Sequence, residues 1–146
     1  MNIFVTGGAG YIGSATAEAL LKAGHTVTVY DSLVTGHRQA VPEAATFIQA
    51  DISDSHALAV ALTGQKYAAV MHFAAFIEAG ESMKDPGKFL RNNLINSLSL
   101  IDMESRPACR VLCFPPPPQS ITPAKNRWLK PQRLVHRIHT ATQNWP

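Results

Sequence analysis

Thr6-Gly7-Gly8-Ala9-Gly10-Tyr11-Ile12-Gly13-Ser14 is the stretch that decides the fold. Asn2 to Thr6, just before it, is a short apolar run that suits a strand. Tyr11 to Ala23 places Ile12, Ala15, Ala19 and Leu20 at helical spacing, and Gly24 supplies a stop. The three glycines at positions 7, 10 and 13 have distinct expected tasks. Gly7 permits the tight turn out of the strand, Gly10 lets backbone approach a pyrophosphate, and Gly13 lets the first helix pack against the sheet. Phosphates are expected at that helix N-terminus, where unpaired N–H groups and the helix dipole favour anions. Three glycines can also simply make a turn. A preceding strand, a following helix and an acid at the next strand end favour nucleotide binding.

That acid is Asp31, 18 residues after Gly13, closing the apolar run Thr26 to Tyr30. A carboxylate there suits a ribose hydroxyl and repels a 2′-phosphate, so NAD is expected over NADP. Arg38, the nearby cation, is expected to face solvent. Further outward, Thr46 to Gln49 and Tyr67 to Phe73 are expected strands. Asp51 to Asp54 opens a short helix over His56 to Leu62, closed by Gly64. A long helix is expected from Pro86 to Asp102, with Phe89, Asn93, Asn96 and Leu100 along one side. The alternation predicts an α/β fold: a partial Rossmann fold of about four parallel strands with helices on both faces.

The charge balance splits at residue 103. Residues 1–103 hold six basic and nine acidic side chains, and residues 104–146 hold seven basic and one acidic. All nine glycines precede residue 88, whereas eight of ten prolines, both tryptophans and both cysteines follow residue 103. The expected organisation is therefore an NAD-binding domain over 1–103 and an irregular, basic, proline-rich tail over 104–146 with little stable structure. A genuine tail of this kind offers Pro115 to Pro118 as a polyproline II ligand and its cations with Trp128 and Trp145 to nucleic acid. No nucleic-acid motif is present, and no nucleic-acid partner is expected. Cys109 and Cys113 form neither a disulfide framework nor a zinc signature, and no metal is expected. No apolar run reaches the ~18–20 residues of a membrane span, and Met1 to Val5 lacks the charged start of a signal peptide. A cytoplasmic location away from membranes is expected.

Beyond the glycine loop, the chain carries Tyr30-Asp-Ser-Leu-Val-Thr-Gly36, Ala50-Asp-Ile52, His72-Phe-Ala-Ala-Phe76, Gly80-Glu-Ser82 and Asn92-Asn-Leu-Ile-Asn-Ser-Leu98. In this order and spacing the chain resembles the extended short-chain dehydrogenase/reductase family, and within it the UDP-glucose 4-epimerase branch, over about residues 1–102. The resemblance implies bound NAD, a UDP-sugar substrate and, for an intact enzyme, a homodimer. It places Tyr11 and Ile12 over the pyrophosphate. Asp31, Ser32, Leu33, Val34, Thr35 and Gly36 would hold the adenosine ribose, and Asp51 and Ile52 would flank the adenine. Phe73, Ala74, Ala75, Phe76 and Ile77 would lie near the nicotinamide-side ribose, and Asn93 would reach the cofactor from the long helix. Plainer roles stay open: Tyr11 as a cap on the sheet, Ile12 as core, Asp51 as a helix cap, and Phe73 with its alanines as core packing. His72, on an apolar strand, is expected in the core or a loop rather than in catalysis. Asn92 and Asn93 are poor helix formers, so at least one is expected to make a specific hydrogen bond.

The family's chemistry implies a serine or threonine and a Tyr-x-x-x-Lys pair that moves a proton while hydride passes to NAD and back. None of Tyr11, Tyr30 and Tyr67 is followed by lysine four residues on, so no catalytic residue is assigned. Back-translation offers a reason. Shifted one base backward, residues 113–121 permit Phe-Ser-Ser-Thr-Ala-Ala-Val-Tyr, and residues 139–145 permit Tyr-Gly-x-Ser-Lys-Leu. A frame change near Asp102 or Met103 is expected from this agreement. The functional expectation is the NAD-binding part of an epimerase, inactive as it stands. The rivals are a related sugar-nucleotide dehydratase or decarboxylase, a non-catalytic NAD-binding or regulatory module, and a truncated pseudogene product whose fourth strand leaves an open sheet edge.

Overall fold

Alternation along the central strand shows how the molecule is layered. In β1 (Asn2–Thr6), Ile3 and Val5 face one way and Phe4 the other, and all three are fully buried. A strand covered on both faces belongs inside a parallel sheet. The structure is a computed structural model that describes residues 1–104 and 112–113 of the 146.

The chain continues through α1 (Tyr11–Lys22), β2 (Thr26–Asp31), a single 3-10 turn at Arg38–Ala40, and β3 (Thr46–Gln49). It then forms α2 (Ser55–Thr63), β4 (Ala69–His72), α3 (Ala79–Ser82), α4 (Pro86–Leu90), a π-helical turn at Arg91–Ile95, α5 (Asn96–Glu104) and β5 (Leu112–Cys113). The sheet order is β3-β2-β1-β4-β5, and every neighbouring pair is parallel. Ile3, Val5, Val27, Val29, Ala69 and Met71 pack with Ala17 and Leu20 of α1 on one face. Phe4, Tyr30 and Val70 pack with Leu58 and Ala61 of α2, Leu100 of α5 and Tyr67 on the other. Phe4 lies 5.5 Å from the Tyr30 ring and 5.0 Å from the Tyr67 ring, spacings that favour tilted aromatic pairs.

The four expected strands are present. The fourth is shorter than Tyr67–Phe73, although Ala68 N–H donates to Asn2 O and Phe73 N–H donates to Thr6 O at its two ends. Two expectations need correction. The edge of β4, left open in the pseudogene reading, pairs Val70 with Leu112 and Met71 with Cys113, so a strand lies inside the segment expected to be irregular. Unpaired β4 backbone groups accept such an addition because a parallel ladder satisfies them. The long helix from Pro86 is also not uniformly α-helical. It passes through a π turn at Arg91–Ile95, where Asn92 and Asn93 turn their side chains to other partners. The remainder of the tail, including Pro115 to Pro118 and both shifted-frame strings beyond Cys113, lies outside the described residues.

Chain order fixes where a site can form. From β1 the chain moves outward to β2 and β3, then crosses back to β4 on the other side of β1. The connections leaving β1 and β4 therefore diverge, and a crevice opens at the carboxyl ends of these two strands.

Candidate functional site: a cleft at the sheet switch point

Gly7 leaves β1 with φ +70, a conformation that side chains disfavour, and its N–H donates to Tyr30 O at 2.9 Å. A Cβ there would lie 2.5 Å from Ala74 N, so the loops after β1 and β4 touch at this point. Gly13 is tighter still: a Cβ would meet Gly7 O at 2.1 Å and Gly8 Cα at 2.8 Å. The first turn of α1 thus lies against the glycine loop itself, one step closer than the expected packing on the sheet. Gly10 is the N-cap, with no side-chain cap and no acid in the first turn. The first-turn amides of a helix have no intrahelical partner, so this end presents uncapped N–H groups beside the cleft.

Asp31 ties two loops together. Its Oδ2 accepts Ala9 N–H at 2.9 Å and its Oδ1 accepts Leu33 N–H at 2.8 Å. Each carboxylate oxygen keeps a further lone pair for a hydroxyl. Leu33 holds φ 61, and the Asp31 bond to its amide supports that left-handed turn. His37 N–H donates to Ala9 O at 3.0 Å, docking the 31–37 segment on the glycine loop.

The cleft has a volume of about 1070 Å³. Seventeen of the nineteen expected binding residues line it: Gly7, Gly10, Tyr11, Ile12, Gly13, Asp31, Ser32, Val34, Thr35, Asp51, Ile52, Phe73 to Ile77, and Asn93. Leu33 and Gly36 do not. Leu33 packs against the α1-side core, and a Cβ on Gly36 would meet Ala9 Cβ at 2.8 Å, so both support the loop from behind. Six lining residues were missed: Tyr30, Ala50, Glu78, Ser82, Phe89 and Asn92. Phe89 and Asn92 carried a signal, since each lies within four residues of Asn93 on the same helical segment. Glu78 stands in a stretch with no periodicity to interpret.

Tyr11 is 93% exposed and Ile12 is 51% exposed, so neither caps the sheet nor joins the core. Asp51 does not cap a helix. Asp54 does, accepting His56 N–H and Ala57 N–H, while Asp51 Oδ1 accepts Ser53 N–H at 2.8 Å. Ile52, Phe73 and Ala74 serve both purposes, packing on the core clusters while lining the cleft. Arg38 is exposed as expected, and its guanidinium stacks on Phe47 at 4.7 Å.

The far wall is held by side chains. Asn93 Oδ1 accepts Phe76 N–H at 2.9 Å, and its Nδ2 donates to Phe76 O at 2.8 Å. Asn93 thereby makes the specific hydrogen bond expected of this pair, and it clamps the loop after β4. The Phe76 ring packs edge-on against Phe89 at 5.7 Å and beneath the Lys88 ammonium at 5.1 Å. Under the cleft, Tyr30 Oη donates to Asp51 O at 3.0 Å. Burial, with the charges of Asp54 and Asp51 adding to it, raises the Tyr30 phenol to about 12. His72 sits in the core as expected, and burial lowers its imidazole to about 4. Among the described residues no helix is long and apolar enough to cross a membrane.

Comparison with known proteins gives a consistent picture. The NAD dependent epimerase/dehydratase family matches residues 3–115, twelve residues past the boundary expected at 103. A UDP-glucose 4-epimerase of Lacticaseibacillus casei is 45% identical over 114 residues, covering 78% of this chain and 34% of that protein. The structure of UDP-glucose 4-epimerase from Brucella ovis in complex with NAD superposes with a TM-score of 0.74 at 41% identity, over 77% of this chain and 34% of the other. That of the Thermotoga maritima enzyme with UDP-glucose gives a TM-score of 0.76 at 31% identity, over 78% and 37%. The chain therefore spans about a third of the length of the curated relatives it matches.

Proposed function

The chain belongs to the NAD dependent epimerase/dehydratase family, and on that ground we propose that residues 1–103 are the NAD-holding part of a UDP-glucose 4-epimerase. The observation that carries this reading is the glycine cradle. A Cβ at Gly13 or Gly7 would drive into backbone, so the loop is built for close approach, and the Asp31 carboxylate stands at its rim. The uncapped turn of α1 at Tyr11, Ile12 and Gly13 receives the pyrophosphate. Asp31 receives the adenosine ribose, with Ser32, Val34 and Thr35 beside it, and its charge selects NAD over NADP. Asp51 and Ile52 flank the adenine. Phe73 to Ile77 exclude water from the nicotinamide-side ribose, and Asn93 holds that wall in place. When bound, NAD supplies a hydride acceptor that later returns the hydride.

The whole protein interconverts UDP-glucose and UDP-galactose through a 4-keto sugar. This 146-residue chain binds the cofactor without turning sugar over, because no tyrosine in it is followed by lysine four residues on. That same observation favours a second reading, a non-catalytic NAD-binding module. A frame change remains our explanation for the tail. The test is calorimetric titration of the purified chain with NAD and NADP, followed by a UDP-galactose turnover assay. Saturable NAD binding without turnover is expected. Absence of NAD binding by folded chain overturns the reading, and turnover overturns the claimed inactivity. Resequencing the gene across codons 98–146 decides the frame.

A further inference from the structure

The end of the central strand is joined to the far wall of the cleft by a continuous line of polar contacts. Thr6, the last residue of β1, places Oγ1 2.6 Å from His72 Nδ1. His72 closes β4, and its Nε2 lies 2.9 Å from Ser97 Oγ in α5. Ser97 Oγ donates to the carbonyl of Asn93 at 2.9 Å, within the π turn. Asn93 then grips the Phe76 backbone through both ends of its amide. Thr6, His72 and Ser97 are all buried, with exposures of 0%, 4% and 7%.

Valence gives this line a direction. A hydroxyl has one hydrogen, and that of Ser97 goes to Asn93 O, so Ser97 accepts from His72 Nε2–H. Nδ1 is then a bare lone pair and accepts Thr6 Oγ1–H. The ring is neutral in this arrangement, with its hydrogen on Nε2.

We propose that Thr6, His72, Ser97 and Asn93 form a one-way hydrogen-bond relay that fixes the Phe76 edge of the cleft, with His72 and Ser97 acting as positioning residues for the bound dinucleotide. Neither His72 nor Ser97 lines the cleft; each acts through Asn93. The last part of this statement rests on the NAD reading above, while the relay itself does not.

The experiment uses the full 146-residue chain. Nitrogen-15 NMR of the assigned His72 ring at neutral pH is expected to show Nε2 protonated and Nδ1 bare. In Ser97→Ala, a change that suits a helix, the amide of Phe76 is expected to exchange roughly five-fold faster, the loss of about one neutral hydrogen bond. NAD affinity is expected to fall by a similar factor, and Ser97→Thr, which returns a hydroxyl, is expected to restore both. A merely structural serine would shift the melting temperature without moving Phe76 exchange. A proton on Nδ1, or Phe76 exchange in Ser97→Ala equal to the parent, overturns the relay. If the parent chain binds no NAD while the tautomer and Phe76 exchange are as expected, the cofactor reading fails and the relay stands. If NAD binds and Ser97→Ala binds it equally well, the positioning role fails.

Discussion

The two walls of the cleft are built by different means. The wall after β1 and β2 is shaped by backbone: glycines with no room for a Cβ, and one carboxylate that bonds two amides. The wall after β4 is shaped by side chains: Asn93 gripping Phe76, and the buried line from Thr6 through His72 and Ser97 behind it. Sterics of bare backbone admit almost no substitution. A side-chain clamp loses one contact at a time. The first wall should therefore fail abruptly and the second by degrees.

Gly13→Ala is the sharpest way to break this contrast. With 2.1 Å available between a Cβ and Gly7 O, the loop must move. NAD binding is expected to be lost by at least about 100-fold, with a stability loss on the order of 3 kcal/mol, measured by calorimetry and thermal melts. A mild effect would mean the two walls do not differ as described.

Acid tests the second wall. The folded His72 value of about 4 lies below the ordinary 6.5, so the fold favours the neutral ring. This contribution is complete above pH 6.5 and declines as pH falls toward 4, where the unfolded chain takes up a proton that the folded chain refuses. The loss approaches about 3 kcal/mol at most. Urea unfolding at pH 7, 5.5 and 4 should show it, and His72→Gln should show a shallower pH slope.

Asp31→Asn keeps the shape of the first wall but removes its charge. NAD affinity is expected to fall about ten-fold while NADP improves, narrowing discrimination between them. Asn93→Ala removes both bonds to Phe76 at the exposed rim. A stability loss of about 1 kcal/mol is expected, together with faster Phe76 amide exchange. The smallest effect is expected at Lys88. Its ammonium over Phe76 and its 3.9 Å pairing with Glu81 are solvent-exposed, so Lys88→Met should change stability by about 0.5 kcal/mol or less.

The same contrast explains what the sequence disclosed. A turn that only glycine can make leaves glycine in the text, so Gly7 and Gly13 announced the first wall. Asp31 announced itself by its place at a strand end. Leu33 and Gly36 stand behind the lining, since a contiguous motif does not say which of its residues turn inward. The second wall was less legible. Asn93 drew notice as a poor helix former, but its partner Phe76 lies 17 residues away, and the His72–Thr6 contact spans 66. Contacts at that range are set by sheet order, which the alternation of elements did not specify. The π turn was invisible for the same reason: it depends on what Asn93 reaches, not on the local pattern around it. The strand at Leu112–Cys113 lay in a segment whose composition pointed to irregular chain, and the β4 edge supplied what composition lacked.

The parallel register of β1 also carries a kinetic consequence. Ile3 pairs with Val27 on one side, 24 positions away, and with Ala69 on the other, 66 positions away. Closing the longer loop costs about 1 kcal/mol more in chain entropy, and it must close before any contact there is rewarded. The β1–α1–β2 unit should thus consolidate first during folding and β4 should dock later. The crevice exists only once β4 has docked, so the arrival of cofactor affinity in a refolding experiment would time the last step of assembly rather than the first.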